Sequence, residues 1–184
     1  MFNYLDLVIA FLIAHISTYV LTKPVKQFAI RTGAIDFPNH RKIHQQPTPR
    51  LGGLAIFLGA FLGALYLQPR HEYMVEILIG AIVILITGAL DDRFSLKPLV
   101  KLSGQLIAAF LLITSGLIIN QITLPVFGIV DLGILSVPVT LFWIIGITNA
   151  INLIDGLDGL ATGVSTIALI SMFIMAIIDV RVMA

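Results

Sequence analysis

Long apolar stretches dominate this chain and constrain its fold more than any other feature. A transmembrane helix needs about 20 predominantly apolar residues, and six stretches meet or nearly meet that length. They are 5–21, 51–67, 75–90, 99–119, 134–151 and 160–178. Only 11% of the 184 residues are charged, against roughly 25% in soluble domains, so the chain cannot cover a surface that faces water. The sequence therefore predicts an all-α fold, a polytopic bundle of about six transmembrane helices.

Lysine and arginine are distributed unevenly between the segments that join these stretches. Segment 23–50 holds six of them and segment 91–101 holds three, whereas segment 120–133 holds none. Lysine and arginine concentrate in cytoplasmic loops of membrane proteins. The segments after the first, third and fifth spans are therefore predicted to lie inside the cell, with the N-terminus outside.

The remaining chain organisation is simple. There is no internal repeat and no low-complexity linker, so we predict one membrane-embedded domain over 1–184, which ends directly after its last span and is expected to be truncated at the C-terminus. Pro138 predicts a kink or an opening in the fifth span. Segment 122–130, with β-branched residues around Pro125 and Gly128, is typical either of a small extracellular hairpin or of an irregular cap between helices.

Four of the ten acidic residues lie at predicted cytoplasmic ends of spans, namely Asp91, Asp92, Asp155 and Asp158. The other six, including Asp36 in the basic segment, are set aside. A carboxylate at a helix C-terminus faces the negative end of the helix dipole, at a cost of a few tenths to about 1 kcal/mol. A divalent cation would reverse this penalty for the adjacent pair at 91–92, because hard cations bind carboxylate oxygens. The alternative is a solvated helix end with Arg93 as the partner.

Segment 149–160 carries a polar residue at every third position. These residues are Asn149, Asn152, Asp155 and Asp158. Polar groups that enter a membrane span mark functional sites by default. Gly156 and Gly159 predict a break in the helix that leaves backbone amides free to meet an anion. Asx-type turns in a plain loop are the alternative.

A third candidate group is basic and precedes the second span. Its members are Arg41, Lys42, His44 and Arg50. The positive-inside preference accounts for the charges, but it does not account for the two prolines and the diglycine packed around Arg50. Free amides at a helix N-terminus beside an arginine form an anion site. Lys101 and Gln105, near the inner end of the fourth span, are predicted to reach the cytoplasmic end of the bundle where the four aspartates lie.

Three motifs follow one another along the chain. The first runs over 36–53 and contains Pro-Thr-Pro-Arg-Leu-Gly-Gly, the second is Leu-Asp-Asp at 90–92, and the third is 149–161. Together they resemble the polyprenyl-phosphate N-acetylhexosamine-1-phosphate transferases. The Pro-Arg-Leu-Gly-Gly form is similar to the corresponding motif of the bacterial undecaprenyl-phosphate N-acetylglucosaminyl 1-phosphate transferases. The chain resembles the N-terminal part of these enzymes. Segment 143–149 resembles the teichoic-acid-initiating type.

The resemblance implies a reaction and a location. Undecaprenyl phosphate attacks the sugar-linked phosphorus of UDP-N-acetylglucosamine and yields undecaprenyl-pyrophosphoryl-N-acetylglucosamine and UMP, the first membrane step of cell-surface polymer synthesis. The implied cofactor is Mg²⁺, or Mn²⁺, and the implied location is the bacterial plasma membrane, with a cytoplasmic active site. The expected partners are the lipid phosphate, the UDP-sugar donor, the bilayer and a second copy of the chain in a homodimer. No nucleic acid is expected.

The same resemblance implies roles for individual residues. The implied catalytic residues are Asp91, Asp92, Asp155 and Asp158, and the first three are the implied metal ligands. The implied substrate-binding residues are Arg41, Lys42, His44, Arg50, Lys101 and Asn152.

The sequence also allows alternatives to an active transferase. The family has further spans and a metal-binding aspartate that this chain lacks, so an inactive fragment of such a transferase is an alternative. An ion-coupled transporter is another, although such proteins bind their substrate at the membrane midplane, usually between inverted repeats. A CDP-alcohol phosphotransferase needs an arginine soon after Asp155-Gly156, and the next arginine is Arg181.

Overall fold

The computed structural model describes residues 3–36, 47–126, 128–155 and 159–182, which are mainly helical. The helices in chain order are α1 (Tyr4–Thr32), α2 (Gly52–Leu67), α3 (Met74–Phe94), α4 (Pro98–Ser115), α5 (Ser136–Ile154) and α6 (Leu160–Val182). Two antiparallel hairpins join them: β1 (Ile35–Asp36) with β2 (Thr48–Pro49), and β3 (Gln121–Leu124) with β4 (Gly128–Asp131). The prediction of an all-α, polytopic fold is confirmed.

Five helical segments of the described chain are long and apolar enough to cross a membrane. They are 4–32, 74–94, 98–115, 133–154 and 160–178. The remaining predicted span, 51–67, corresponds to α2, which has 16 residues. Its length of about 24 Å at 1.5 Å per residue is somewhat short of the roughly 30 Å hydrocarbon layer. These helices make the chain a multi-pass membrane protein.

Helix α1 extends well past its predicted end at residue 21. It begins at an Asn3 cap, whose side chain accepts from the Leu5 N–H while Asp6 accepts from the Asn3 N–H, and it continues through Pro24 to Thr32. Gly33 then ends the helix with φ +73°. The apolar pattern gave too short a helix because charged residues, among them Lys23, Lys26 and Arg31, interrupt the apolar residues in the last turns of α1.

Small residues allow α1 and α2 to pack backbone to backbone. A Cβ placed on Gly59 would lie 2.7 Å from the Ala14 carbonyl oxygen and would also clash with the Thr18 hydroxyl. A Cβ on Gly63 would lie 2.8 Å from the Ala10 carbonyl oxygen. Such glycine contacts are typical of helix pairs in membranes, where close van der Waals packing replaces the hydrophobic effect.

A compact core lies at the end of α1 and α2 that carries the basic segment. Its buried members are Val25, Ala29, Ala34, Leu51 and Ala55, and Leu21, Leu54 and Ala89 pack against them. Ala89 belongs to α3, so this core joins three helices. It supports the end of α3 on which two of the candidate aspartates stand.

By its internal contacts the chain divides into two compact units, 1–141 and 142–184. In the first unit, strands β3 and β4 pair as a hairpin, as one of the two interpretations of segment 122–130 predicted. Its extracellular location stays a prediction. Thr140 accepts a hydrogen bond from the Ile119 N–H at 2.9 Å and donates one to the Ser136 carbonyl at 2.7 Å.

The predicted kink or opening at Pro138 is wrong. Pro138 lies in the first turn of α5, where backbone N–H groups have no partner within the helix and a proline costs little.

The second unit contains most of α5 and all of α6. Helix α5 ends at Ile154 and α6 begins at Leu160, directly after Gly159 with φ +80°. The predicted break between the fifth and sixth spans is therefore confirmed. The described apolar side chains of α6 are largely exposed, as expected for a surface that meets lipid or other membrane-embedded segments.

Candidate active site

Asp91 lies in the last turn of α3 and is held from two directions. Ser95 adopts φ +49° at the end of the helix, and this turn brings the start of α4 back towards α3. The Leu96 N–H donates to Asp91 Oδ1 at 3.0 Å, and Lys101 Nζ lies 3.1 Å from Asp91 Oδ2. Both side chains are about one-quarter exposed. The ion pair is therefore partly shielded from solvent.

Asp92 contacts the start of α2 instead. The Leu51 N–H donates to Asp92 Oδ2 at 3.3 Å, and Arg50 Nη1 lies 3.9 Å from Asp92 Oδ1. Leu51 adopts φ +73°. Asp92 also lines a cavity of about 120 Å³ between α2 and α3, whose other walls include Gly53 and Gly88.

Arg50 also contacts Asp36, which was not among the predicted site residues. Arg50 Nη2 lies 2.9 Å from Asp36 Oδ1, and the Arg50 N–H donates to the Ala34 carbonyl at 2.9 Å. Asp36 is brought there by the β1–β2 hairpin, in which it is the register partner of Thr48. The guanidinium of Arg50 therefore stands between two carboxylates. The only sequence signal for Asp36 was its place in the first family motif.

Arg93 does not partner the aspartate pair. Its guanidinium lies over the Phe94 ring at 5.2 Å and about 3.4 Å from the position that a Cβ on Gly33 would occupy. This places a cation beside the C-terminal end of α1, where the helix dipole favours it. The alternative of a helix end paired with Arg93 is wrong, because the pair is held by Lys101, Arg50 and two backbone N–H groups.

The aspartate pair suits a hard divalent cation in donor type. Mg²⁺ commonly binds one or two protein carboxylates and completes its shell with water and substrate phosphates. Asp92 Oδ1 is beyond hydrogen-bond distance of Arg50, so this oxygen is open to a cation. No group of three His, Cys, Asp or Glu side chains that could hold a metal occurs among the described residues. Two carboxylates would leave the rest of a Mg²⁺ coordination shell to water and substrate oxygens.

The remaining predicted site residues either belong to the second unit or lie outside the described residues. Asn149 is half-buried and donates through Nδ2 to the Ile145 carbonyl at 2.8 Å. Asn152 and Asp155 are exposed at the end of α5, in the second unit. The others lie outside the described residues: Arg41, Lys42, His44 and Asp158. The convergence of the two aspartate groups therefore stays a prediction.

These features define a multi-pass membrane protein with a pair of carboxylates at the end of one helix. The carboxylates are held by the cationic side chains of Arg50 and Lys101 and by two backbone N–H groups. A family model described as glycosyl transferase family 4 matches residues 74–184. The chain belongs to this family. No solved structure matches the chain.

Several curated proteins are similar to this chain. A "Probable undecaprenyl-phosphate N-acetylglucosaminyl 1-phosphate transferase" from Bacillus subtilis is 42% identical over 176 residues, which cover 93% of this chain and 48% of that protein. A "Decaprenyl-phosphate N-acetylglucosaminephosphotransferase" from Mycobacterium tuberculosis is 38% identical, with coverage of 88% and 43%. A "Phospho-N-acetylmuramoyl-pentapeptide-transferase" from Caldanaerobacter subterraneus is 33% identical, with coverage of 66% and 42%. The chain thus spans about half the length of the curated relatives it matches.

Proposed function

We propose that this chain forms part of a transferase that moves N-acetylglucosamine 1-phosphate from UDP-N-acetylglucosamine to undecaprenyl phosphate. The observation that carries the proposal is the pairing of Asp91 with Lys101 and of Asp92 with Leu51 and Arg50. This arrangement brings together cationic side chains that can bind phosphates and carboxylates that can bind a metal ion. The names of the relatives, all polyprenyl- or sugar-phosphate transferases, supply the reaction class.

In the proposed reaction, an oxygen of the lipid phosphate attacks the phosphorus that bears the sugar. The bond from this phosphorus to the oxygen that bridges it to the UMP phosphate breaks, and UMP leaves with the electron pair. A phosphate monoester has its second pKa near about 6, so the attacking oxygen is largely ionised at neutral pH. The protein therefore needs to position two anions more than it needs to remove a proton.

Each residue of the site then has a definite task. Asp91 and Asp92 would hold Mg²⁺ or Mn²⁺, which would offset the repulsion between the phosphates and the charge that develops on the leaving group. Lys101 and Arg50 each contact a carboxylate in the free protein. On substrate binding they turn part of their hydrogen-bonding capacity to the phosphates.

The other assignments follow from the resemblance. Asp155 and Asp158 act near the metal and the nucleotide, and Asn152 accompanies them. The basic residues Arg41, Lys42 and His44 bind substrate. The lysine and arginine distribution supports a cytoplasmic site in a bacterial plasma membrane.

The test is transfer of label into lipid. The purified protein is incubated with undecaprenyl phosphate and radiolabelled UDP-N-acetylglucosamine, with Mg²⁺ or with EDTA, and with the full-length Bacillus subtilis relative as a positive control. We expect EDTA-sensitive label in the lipid phase and an equal amount of UMP. Absence of lipid-linked label with every UDP-sugar, while the relative is active, would mean that the chain is not by itself a transferase.

A further inference from the structure

A second and larger cavity, of about 410 Å³, lies between α1 and α2 at the end that carries the β1–β2 hairpin. The two helices touch at Gly59 and Thr18. Towards the hairpin the small residues Gly52 and Ala55 leave space between the two helices. The volume falls within the range of about 300–1,000 Å³ that is usual for small-molecule sites.

The walls of this cavity change character along the membrane normal. Nearer the middle of α1 they are formed by Thr18, Thr22 and Val25, with Ile56 of α2 opposite. The two threonine hydroxyls donate to the carbonyls of Ala14 and Thr18, each at 2.8 Å. Their protons are therefore used within the helix, and this half of the cavity is suited to hydrocarbon.

The other half of the cavity is cationic. It is lined by Lys26 and Arg50, and no acidic residue is among the described residues that line it. The Lys26 side chain is exposed and makes no hydrogen bond or ion pair with another described residue. Arg50 contacts Asp36 and Asp92 through two nitrogens, which leaves others of its five N–H donors available. Two positive charges therefore face the same space.

The position of Lys26 matches a membrane surface. At 1.5 Å per residue, Lys26 lies about 33 Å along α1 from its first residue, close to the roughly 30 Å thickness of the hydrocarbon layer. The cationic half of the cavity therefore lies at the level of lipid headgroups, and the apolar half lies within the hydrocarbon. An amphiphile with an anionic head fits this arrangement in one orientation.

We propose that this cavity binds a phosphate monoester at the end of a hydrocarbon chain, with Lys26 and Arg50 on the phosphate. A monoester carries about −1.5 to −2 charges at neutral pH, which matches two cations better than the single charge of a diester headgroup does. The inference rests on the proposed function, under which the ligand is the undecaprenyl phosphate acceptor. Arg50 then connects the lipid phosphate to Asp92.

Binding without turnover tests the inference separately from the reaction. The protein is placed in phosphatidylcholine nanodiscs without metal or nucleotide, and the affinity for undecaprenyl phosphate is measured. Loss of a charge-assisted contact in Lys26→Met should weaken binding about tenfold or more. The matched control is Lys23→Met, which removes an exposed lysine of the same helix that does not line the cavity and should bind as the unaltered protein does. Equal affinities for all three proteins, or equal losses in both variants, would overturn the proposal.

Competitors and a steric variant complete the test. Phosphatidic acid, a monoester, should compete, whereas phosphatidylglycerol and inorganic phosphate should not; equal competition by either would overturn the monoester or the lipid part of the proposal. Thr22→Phe should block the cavity without changing charge, and the control Val20→Phe lies outside it. Lys26-dependent binding without any transfer would refute the proposed function alone. Transfer with Lys26-independent binding would refute this inference alone.

Discussion

The backbone N–H of Leu51 donates to Asp92 Oδ2 at 3.3 Å, across 41 residues of sequence. This bond ties the start of α2 to the end of α3. Leu51 holds φ +73°, a left-handed conformation that costs a non-glycine residue roughly 1–2 kcal/mol. The cost is tolerated because the Leu51 side chain is buried in the core between α1 and α2. Packing at one residue thus positions a carboxylate on another helix.

The left-handed backbone at Leu51 gives the first prediction. Leu51→Ala and Leu51→Gly both lose the buried side chain and should be about 2–4 kcal/mol less stable than the parent. Only glycine relieves the positive φ, so Leu51→Gly should be more stable than Leu51→Ala by about 1 kcal/mol. Chemical unfolding in detergent measures the difference. An alanine variant as stable as the glycine variant would contradict the described backbone.

The contact between α1 and α2 gives the second prediction. Gly59→Ala places a Cβ 2.7 Å from the Ala14 carbonyl oxygen, so the helices must separate, at a cost of about 1–3 kcal/mol. The control is Gly53→Ala on the same helix, which meets nothing within 4 Å and should be neutral or stabilising by up to about 1 kcal/mol. Thermal unfolding of both variants measures the effect. The packing is wrong if the two substitutions have the same effect.

The Asp36–Arg50 ion pair gives the third prediction. The side chain of Arg50 is 34% exposed and that of Asp36 is 19% exposed, so solvent screens the pair and we expect a coupling of about 0.5–1 kcal/mol. A double-mutant cycle with Asp36→Asn and Arg50→Gln isolates this energy. Asp36→Asn should also lower transfer, because Arg50 loses the partner that holds it near Asp92. Additive stabilities and unchanged transfer would remove Asp36 from the site.

Lys101 gives the fourth prediction. If Lys101 turns from Asp91 to a substrate phosphate, Lys101→Met should lower the transfer rate about 10²–10³-fold, as loss of an electrostatic donor does in other active sites. Lys97→Met removes an exposed lysine at the start of the same helix and should leave the rate unchanged. Rates from the label-transfer assay decide between the two. Equal rates in both variants would show that the pair with Asp91 is structural only.

The sequence predicted the helices well for a physical reason. A chain in lipid must satisfy its backbone groups internally, so long apolar stretches become helices. It failed where polar residues continue a helix, as in the last turns of α1 up to Thr32. It also gave no signal for the positive φ of Leu51, because neither glycine nor asparagine occupies that position.

The site was predicted in part. The topology predicted from the sequence placed Asp91, Asp92, Arg50 and Lys101 on one membrane face, and the first unit of the structure brings these four together. The role of Asp36 was missed, because an acidic residue in a basic segment resembles a solvated charge. Its contact with Arg50 depends on the register of two-residue strands, which local sequence does not encode.

We propose that Asp92 acts in metal-dependent phosphoryl transfer, which a comparison of label transfer between variants tests directly. Label transfer from UDP-N-acetylglucosamine to undecaprenyl phosphate is compared between the unaltered protein, Asp92→Asn, and Glu72→Gln, which alters an exposed acid outside the site. We expect EDTA-sensitive transfer in the unaltered protein and in Glu72→Gln, and loss of transfer in a folded Asp92→Asn. Transfer by Asp92→Asn at the unaltered rate would contradict the proposal.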